Sequence, residues 1–256
     1  MNAQLITVSV VSHEHGDEIL MLLDDMVLLA ANEVVKIVVT LNVPEDKLFN
    51  AIKSRAWPFE VIVINNTTPL GFGVNHNKAF ELCQTPYFCV VNPDIRIKKN
   101  PYPELLESLS SVGAGCAYPM QRTEHGLPRD LVREIPTPLA LMRRYLMPTF
   151  EKSEQVKDWI NGSFMLFPSG IYNQLQGFDQ KFFMYCEDVD ICLRLRKFGF
   201  KLMPSSNACI QHSGRHASRR HFRHLSWHVF SLMRLWYLKF IGKYDSVFFI
   251  GHTPSK

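Results

Sequence analysis

An alternation near the start of the chain leaves few folds open to it. Leu5 to Ser12 (LITVSVVS) is an unbroken β-branched, apolar run, Glu18 to Ala30 follows with helical spacing, and Val34 to Leu41 is apolar again. The order recurs with a helix over Glu45 to Lys53, a strand over Phe59 to Asn65, a helix beginning near Asn75 and a strand over Tyr87 to Val91. Strands without polar alternation are buried on both faces, and such strands separated by helices build a mostly parallel, Rossmann-like α/β sheet flanked by helices. The pattern continues with a helix at Tyr102 to Ser111, strands at Ala114 to Tyr118 and Trp159 to Phe167, and a helix at Ser169 to Leu175. A helix from Glu187 to Phe198 stops at Gly199, and a last strand at Ala208 to Gln211 ends on His212. Between Met120 and Val156 the periodicity lapses around Pro128, Pro136, Pro138 and Pro148, which predicts a long excursion with one short helix.

With 256 residues, one α/β domain over 1–214 and a tail over 215–256 is the expected organisation. The net charge of +4 is unevenly spread, because Ile191 to Tyr244 holds no Asp or Glu but eleven Lys or Arg and five of the ten His. That segment is expected to face something acidic. Six cysteines without a Cys-x-x-Cys pair read as reduced thiols. The N-terminus lacks a basic stretch followed by an apolar one, and no run of about 18 apolar residues offers a membrane span. The expectation is a cytoplasmic protein.

Sheets of this kind bind ligands beyond the carboxyl ends of their strands. Three such places carry distinctive residues. Asn92-Pro93-Asp94 puts a carboxylate straight after a buried strand, suited to a hard divalent cation such as Mg²⁺ or Mn²⁺ but equally to an Asx turn or a helix cap. Glu187-Asp188-Val189-Asp190 follows the aromatic run Phe182, Phe183 and Tyr185. Acidic residues favour a helix start, and Asp190 can pair with Arg194 at i, i+4, yet a carboxylate beside apolar walls also has the raised pKa of a general base. His212 either completes a metal site begun by Asp94 or caps the edge of the sheet. Arg215, Arg219 and Arg220 suit a diphosphate. Gly71-Phe72-Gly73 at a helix start allows close backbone approach to a ligand, or makes an ordinary turn.

The order of Gly71-Phe72-Gly73 with Asn77, Asn92-Pro93-Asp94, Asn161-Gly162-Ser163-Phe164-Met165, Gly177-Phe178-Asp179, Phe183 to Arg194 and His212 resembles the family 2 inverting glycosyltransferases of GT-A fold. The bacterial rhamnosyltransferase branch is the nearest in pattern. The resemblance implies that Asp94 is the metal-binding member of a degenerate D-x-D motif whose first acid is Asn92, and that His212 also approaches the metal. It implies that Asp188 is the general base, with Glu187 as second choice, and that Asn161, Gly162, Ser163, Gly71, Phe72, Gly73 and Asn77 contact substrate. Two departures stand out. Asn65-Asn66 replaces the family's frequent Asp-Asn after the third strand, which leaves UDP and dTDP both open for Asn65 to contact. Ser12-His13 replaces a frequent Tyr-Asn as a nucleotide contact.

The implied reaction is transfer of a deoxyhexose, such as L-rhamnose from dTDP-rhamnose, onto a polyprenyl-diphosphate-linked saccharide during O-antigen or other surface polysaccharide (lipopolysaccharide) synthesis. The stretch from His216 to Phe240 combines Arg219, Arg220, Arg223, Arg234 and Lys239 with Phe222, Trp227, Phe230, Trp236, Tyr237 and Phe240. As a helix it suits peripheral contact with the cytoplasmic face of the inner membrane, or packing on the sheet with solvated arginines. A nucleotidyltransferase of similar architecture would need a Gly-rich basic signature after the first strand, where Ser12-His13-Glu14-His15-Gly16 stands. A nucleic-acid-binding module using the basic tail would leave the acidic cluster unused, so no nucleic-acid partner is expected.

Overall fold

The computed structural model describes residues 5–128, 132–133, 135–138, 159–212 and 222–244. Its centre is an eight-stranded sheet in the order β3-β2-β1-β4-β9-β6-β10-β5. The strands are β1 (Ile6–Ser12), β2 (Val34–Leu41), β3 (Glu60–Asn65), β4 (Tyr87–Val91), β5 (Ile95–Ile97), β6 (Ala114–Arg122), β9 (Phe164–Pro168) and β10 (Lys201–His212); β7 (Val132–Arg133) and β8 (Trp159–Ile160) pair separately. β1, β2, β3 and β4 are mutually parallel, as are β6 and β10, while β9 and β5 run against their neighbours.

Residues that alternate along a strand feed two separate cores. Val8, Val10, Cys89, Val91, Phe164 and Leu166 meet α1 (Asp17–Leu29), α2 (Asp46–Lys53) and α4 (Tyr102–Leu109) on one face. Val38, Phe88, Val90, Met165 and Phe167 meet α3 (Phe72–Phe80), α5 (Ser169–Gln174), α6 (Glu187–Lys197) and α7 (Phe222–Phe240) on the other. This two-sided burial is the reason the strands read as continuous apolar runs. All six cysteines are free thiols.

Four elements differ from the sequence expectation. The apolar run Trp159 to Phe167 is two strands, because the Asn161 side chain accepts from the Ser163 N–H at 3.3 Å and turns the chain between β8 and β9. β10 starts at Lys201 rather than Ala208: it pairs with β6 across a register shift between Ser205 and Cys209, and polar bulge residues hide a strand from pattern reading. The turn at Pro93 and Asp94, closed by the Ile95 N–H on the Asn92 carbonyl, leads into Ile95–Ile97 as an edge strand, β5, that the pattern did not mark. α3 begins at Phe72. Of the excursion from Met120 to Val156, β6 occupies the start and β7 a short piece, and 139–156 lie outside the described residues.

The basic tail helix α7 packs on the body. Leu232, Leu235 and Leu238 join the second core. Arg234 bonds Asp179 at 2.7 Å and lies over the Phe182 ring, and the Trp236 indole N–H donates to the Pro136 carbonyl. The opposite side of α7 is apolar and exposed, carrying Leu225, Val229, Phe230, Met233, Tyr237 and Phe240. The helix therefore combines the packed arrangement with an unpaired apolar face. Among the described residues no helix is long and apolar enough to cross a membrane.

Candidate active site

The ends of β1, β2, β3, β4, β6 and β10 and the start of β9 lie along one edge of the sheet. Asp94 and His212 meet there because β5 pairs antiparallel with β10, with Ile95 opposite His212. A bidentate contact from Arg96 to Asp25 at 2.7 Å and the Ile97 N–H donated to the same carboxylate pin β5 to α1. Asp94 Oδ2 then stands 3.2 Å from His212 Nε2, with both side chains about a tenth exposed.

The other ring nitrogen of His212 fixes its tautomer. Nδ1 lies 3.0 Å from Gln121 Oε1, an acceptor, since the Gln121 amide donates to Ser163 Oγ and to Asn161 Oδ1. Nδ1 thus carries a proton, and Nε2 faces the Asp94 carboxylate. A nitrogen and a carboxylate oxygen at this distance can share a proton or a cation, and a hydrogen-bonded Nδ1–H is the usual support for a metal-ligating imidazole. Among the described residues there is no group of three or more His, Cys, Asp or Glu side chains fit to hold a metal ion.

The network continues from Gln121 to the acidic pair. Ser163 donates to Asn161 Oδ1, and the Gly162 N–H donates to Asp188 Oδ2 at 3.2 Å. A Cβ on Gly162 would meet the Phe72 ring at 3.4 Å and the Asp188 Cβ at 3.5 Å. Asp188 Oδ1 also accepts its neighbour's N–H from Val189 at 2.9 Å. Asn161-Gly162-Ser163 therefore joins the Asp94–His212 pair to Asp188 through one connected polar loop.

The three carboxylates of α6 occupy different environments. Asp188 is half-buried, whereas Glu187 is buried and its Oε2 has no hydrogen-bond partner. Burial, and then the adjacent Asp188 charge, push the Glu187 carboxyl pKa well above the usual carboxylate range, which favours its protonated form. Asp190 is wholly buried and accepts from Arg194 Nε at 2.7 Å and from the Tyr244 hydroxyl at 2.6 Å. Arg194 in turn donates to the carbonyls of Leu175 and Gly177. Asp190 is thus a fastener of the loop before α6.

On the far side of the edge, Asn42, Asn66 and Asn75 form a buried amide cluster. Asn66 Nδ2 donates to Asn42 Oδ1 at 2.9 Å and to Asn75 Oδ1 at 2.7 Å, and the Leu70 N–H donates to Asn42 Oδ1 at 2.8 Å. Asn65 is exposed at the end of β3 while Asn66 is the buried partner. Ser12 is buried, its hydroxyl accepting from the His15 N–H, and His13 is exposed with Nδ1 3.3 Å from the Asn42 amide. Glu45 holds this loop by accepting from the N–H groups of Glu14 and Gly16.

The glycines at the start of α3 are accounted for by packing. A Cβ on Gly71 would sit 2.6 Å from the Phe183 carbonyl oxygen, and one on Gly73 would sit 2.6 Å from the Phe178 Cβ. Asn77 uses both ends of its amide on the protein: Oδ1 accepts from Tyr172 and from the Phe178 N–H, and Nδ2 donates to the Phe178 carbonyl. Asn92 donates its N–H to the Ser163 carbonyl, so β4 and β9 open together at the site. Arg215, Arg219 and Arg220 lie outside the described residues. Gln121, Asn42, Asn75 and Glu45 are absent from the sequence-derived set. Asn42 could have been found from its place directly after a buried strand, whereas nothing local marks Gln121.

Comparison with known proteins agrees with this geometry. A family model described as glycosyltransferase like family 2 matches residues 3–238. Rhamnosyltransferase WbbL of Escherichia coli (strain K12) is 30% identical over 253 residues, 90% of this chain and 92% of that protein. An N-acetylglucosaminyl-diphospho-decaprenol L-rhamnosyltransferase of Mycobacterium tuberculosis (strain ATCC 25618 / H37Rv) is 29% identical over 150 residues, 51% of this chain and 48% of that protein. Among solved structures, the mannosyltransferase PcManGT from Pyrobaculum calidifontis in complex with GDP-Man and Mn²⁺ superposes with a TM-score of 0.63 at 16% identity, over 91% of this chain and 65% of that one. TarS of S. aureus gives 0.65 at 12% identity, over 93% and 40%. This chain thus spans less than two thirds of the length of those two solved chains, and at such identities the likeness concerns the fold alone. With a family model covering nearly the whole chain and a relative matched end to end, the protein belongs to the family 2 glycosyltransferases and is a glycosyl-transferring enzyme of GT-A fold.

Proposed function

We propose that this enzyme is an inverting rhamnosyltransferase. It moves L-rhamnose from a nucleotide diphosphate sugar such as dTDP-rhamnose onto a polyprenyl-diphosphate-linked saccharide, in the synthesis of O-antigen or another surface polysaccharide. The observation that carries this reading is the hydrogen-bonded chain from the Asp94–His212 pair through Gln121 and Asn161-Gly162-Ser163 to Asp188. Such a chain holds the leaving-group end and the base end of one displacement at a fixed separation. The sugar and the lipid-linked acceptor are supported by the names of the two bacterial relatives.

Asp188 is the base. Being half-buried it can reach an acceptor hydroxyl, and the Gly162 N–H directs its carboxylate, whereas Glu187 is buried and its surroundings oppose the charged form a base needs. The acceptor hydroxyl gives its proton to Asp188, and its oxygen forms a bond to the anomeric carbon. The bond from that carbon to the diphosphate oxygen breaks, and its electron pair leaves with the nucleoside diphosphate, inverting the centre. Asp94 and His212 fit a divalent cation, since an oxygen and a nitrogen donor converge and the Gln121 contact holds the imidazole in the ligating tautomer. Asp94 and His212 would hold Mg²⁺ or Mn²⁺, and the ion would supply positive charge to offset that of the departing diphosphate. Ser12, His13, Asn65 and the amide cluster below them form the nucleoside side of the site.

The enzyme acts on the cytoplasmic face of the inner membrane as a peripheral protein. The exposed apolar face of α7, in a segment rich in Lys and Arg and free of Asp and Glu, fits the boundary of an anionic lipid surface. A panel of nucleotide sugars with a soluble lipid-diphosphate saccharide, run with and without chelator, tests the reaction. Product from dTDP-rhamnose that is lost with EDTA and restored by Mn²⁺ is expected; consumption of no donor, or transfer indifferent to chelator, overturns the reading.

A further inference from the structure

The strap between α5 and α6 carries backbone strain that the assigned site residues leave unexplained. Tyr185 and Cys186 are adjacent non-glycine residues at φ 71° and 65°, directly before Glu187 and Asp188. A left-handed non-glycine residue of this kind is strained and persists only where its surroundings fix it. Both neighbouring elements do so here. On one side the Phe72 N–H donates to the Phe183 carbonyl at 3.0 Å; on the other the Ser231 hydroxyl of α7 donates to the Met184 carbonyl at 2.8 Å, and the Tyr185 hydroxyl lies 2.9 Å from His224 Nδ1.

The effect of this conformation is to hold aromatic rings at the surface. Phe183 is 37% exposed, a large ring left partly in water five positions before Asp188. Its centroid lies 4.9 Å from that of Trp227, itself half-buried, with His224 edge-on to Trp227 at 4.9 Å and Tyr185 edge-on to His228 at 5.0 Å. The backbone that carries Phe183 is tied to the start of α3 by the Phe72 N–H, and the Phe72 ring and the Asp188 Cβ both lie against Gly162, so the strap and the base share one support. Partly exposed rings ringed by imidazole and phenol groups offer apolar faces with a few hydrogen-bonding groups at the rim, which is the make-up of a site for an amphipathic ligand.

We propose that Phe183 and Trp227, with Tyr185 and His224 at their edge, form the acceptor-sugar subsite. A pyranose ring lays its C–H face on the two rings and turns a hydroxyl toward Asp188. The subsite rests on the reading of Asp188 as base in a transfer to a saccharide acceptor. Its position also suits a lipid-linked acceptor, because Trp227 leads along α7 into the exposed face bearing Phe230, Met233 and Tyr237. The strain before Glu187 is then the means by which one segment presents both the base and the surface that orients its substrate.

The test compares Phe183→Leu, Trp227→Leu and Trp227→Phe with the wild type. Each leucine keeps apolar bulk against its neighbours but removes a ring, and Trp227→Phe keeps one. Acceptor KM, donor KM and hydrolysis of donor without acceptor are measured with a soluble diphosphate-linked monosaccharide. Either leucine is expected to raise acceptor KM about tenfold, a loss of about 1.4 kcal/mol, with donor KM and acceptor-free hydrolysis within about twofold of wild type and with Trp227→Phe largely restored. Intrinsic fluorescence follows the same monosaccharide without turnover, with quenching expected in the wild type and absent in Trp227→Leu. Unchanged acceptor KM and quenching in both leucine variants overturn the subsite. Quenching that depends on Trp227 in a protein that transfers no sugar upholds the subsite and sinks the reaction assigned to it.

Discussion

Asp188→Asn and Asp190→Asn should behave as opposites although a single residue separates them. Asp190 is wholly buried and neutralises Arg194, whose side chain is 11% exposed, while its second oxygen accepts from the Tyr244 hydroxyl. Removing one charge of a buried pair costs about 3–5 kcal/mol, because the partner stays buried without its counter-charge. The low end applies, since Arg194 keeps its bonds to the Leu175 and Gly177 carbonyls and asparagine keeps one acceptor oxygen. About 3 kcal/mol in a chain of this size corresponds to a fall in Tm of about 6–12 °C. At Asp188 the N–H donors of Gly162 and Val189 lose one charged acceptor, but the repulsion that raises the Glu187 pKa is relieved. A net change of about 1 kcal/mol or less is expected there, together with a fall in kcat of about 10²–10⁴-fold for loss of the base. Thermal melts followed by circular dichroism give the first quantity, and initial rates at 20 °C, where both variants are folded, give the second. Asp190→Asn is expected to keep kcat within about threefold. An Asp190→Asn protein that melts with the wild type, or an Asp188→Asn protein that transfers at the wild-type rate, refutes this division of roles.

Other consequences follow from the same environments. Burial raises the Glu187 pKa above that of the unfolded chain, so its contribution to stability falls as pH rises above about 4.5; Glu187→Gln should flatten the Tm profile above that pH and retain transfer, and loss of transfer would make Glu187 the base. His76 is wholly buried beside Ser9, and burial lowers its pKa from 6.5 to about 3. The unfolded chain therefore takes up the proton first, and stability drops as pH falls from 6.5 toward 3, by about 2 kcal/mol at pH 5; urea melts at pH 7 and 5 should show this loss in the wild type and not in His76→Gln. Phe230 and Phe240 are 69% and 89% exposed on α7. Changing both to Ser should leave the melt unaltered and weaken co-sedimentation with anionic vesicles at least tenfold, at about 1.5–3 kcal/mol per buried ring; equal sedimentation refutes the membrane contact.

What could be read from the sequence is what depends on neighbours along the chain. Two-sided burial wrote β1, β2 and β4 as continuous apolar runs, and with them the position of Asp94 just past the carboxyl end of β4. The order of motifs likewise sufficed to indicate the family, and the i, i+4 spacing of Asp190 and Arg194 foretold their pair. Tertiary structure decided the rest, because the partners are distant in sequence. Gln121 reaches His212 across 91 positions only because β6 and β10 are neighbours in the sheet. Glu187 and Asp188 look alike in sequence, and only the burial of one and the half-exposure of the other tell them apart. The tail gave composition but no orientation: helical periodicity cannot say which stripe meets the body, and it was the docking of Arg234 on Asp179 that turned Phe230 and Phe240 outward. Charge, periodicity and turn chemistry act locally and survive in the sequence, whereas burial and cross-sheet adjacency exist only once the chain has closed on itself.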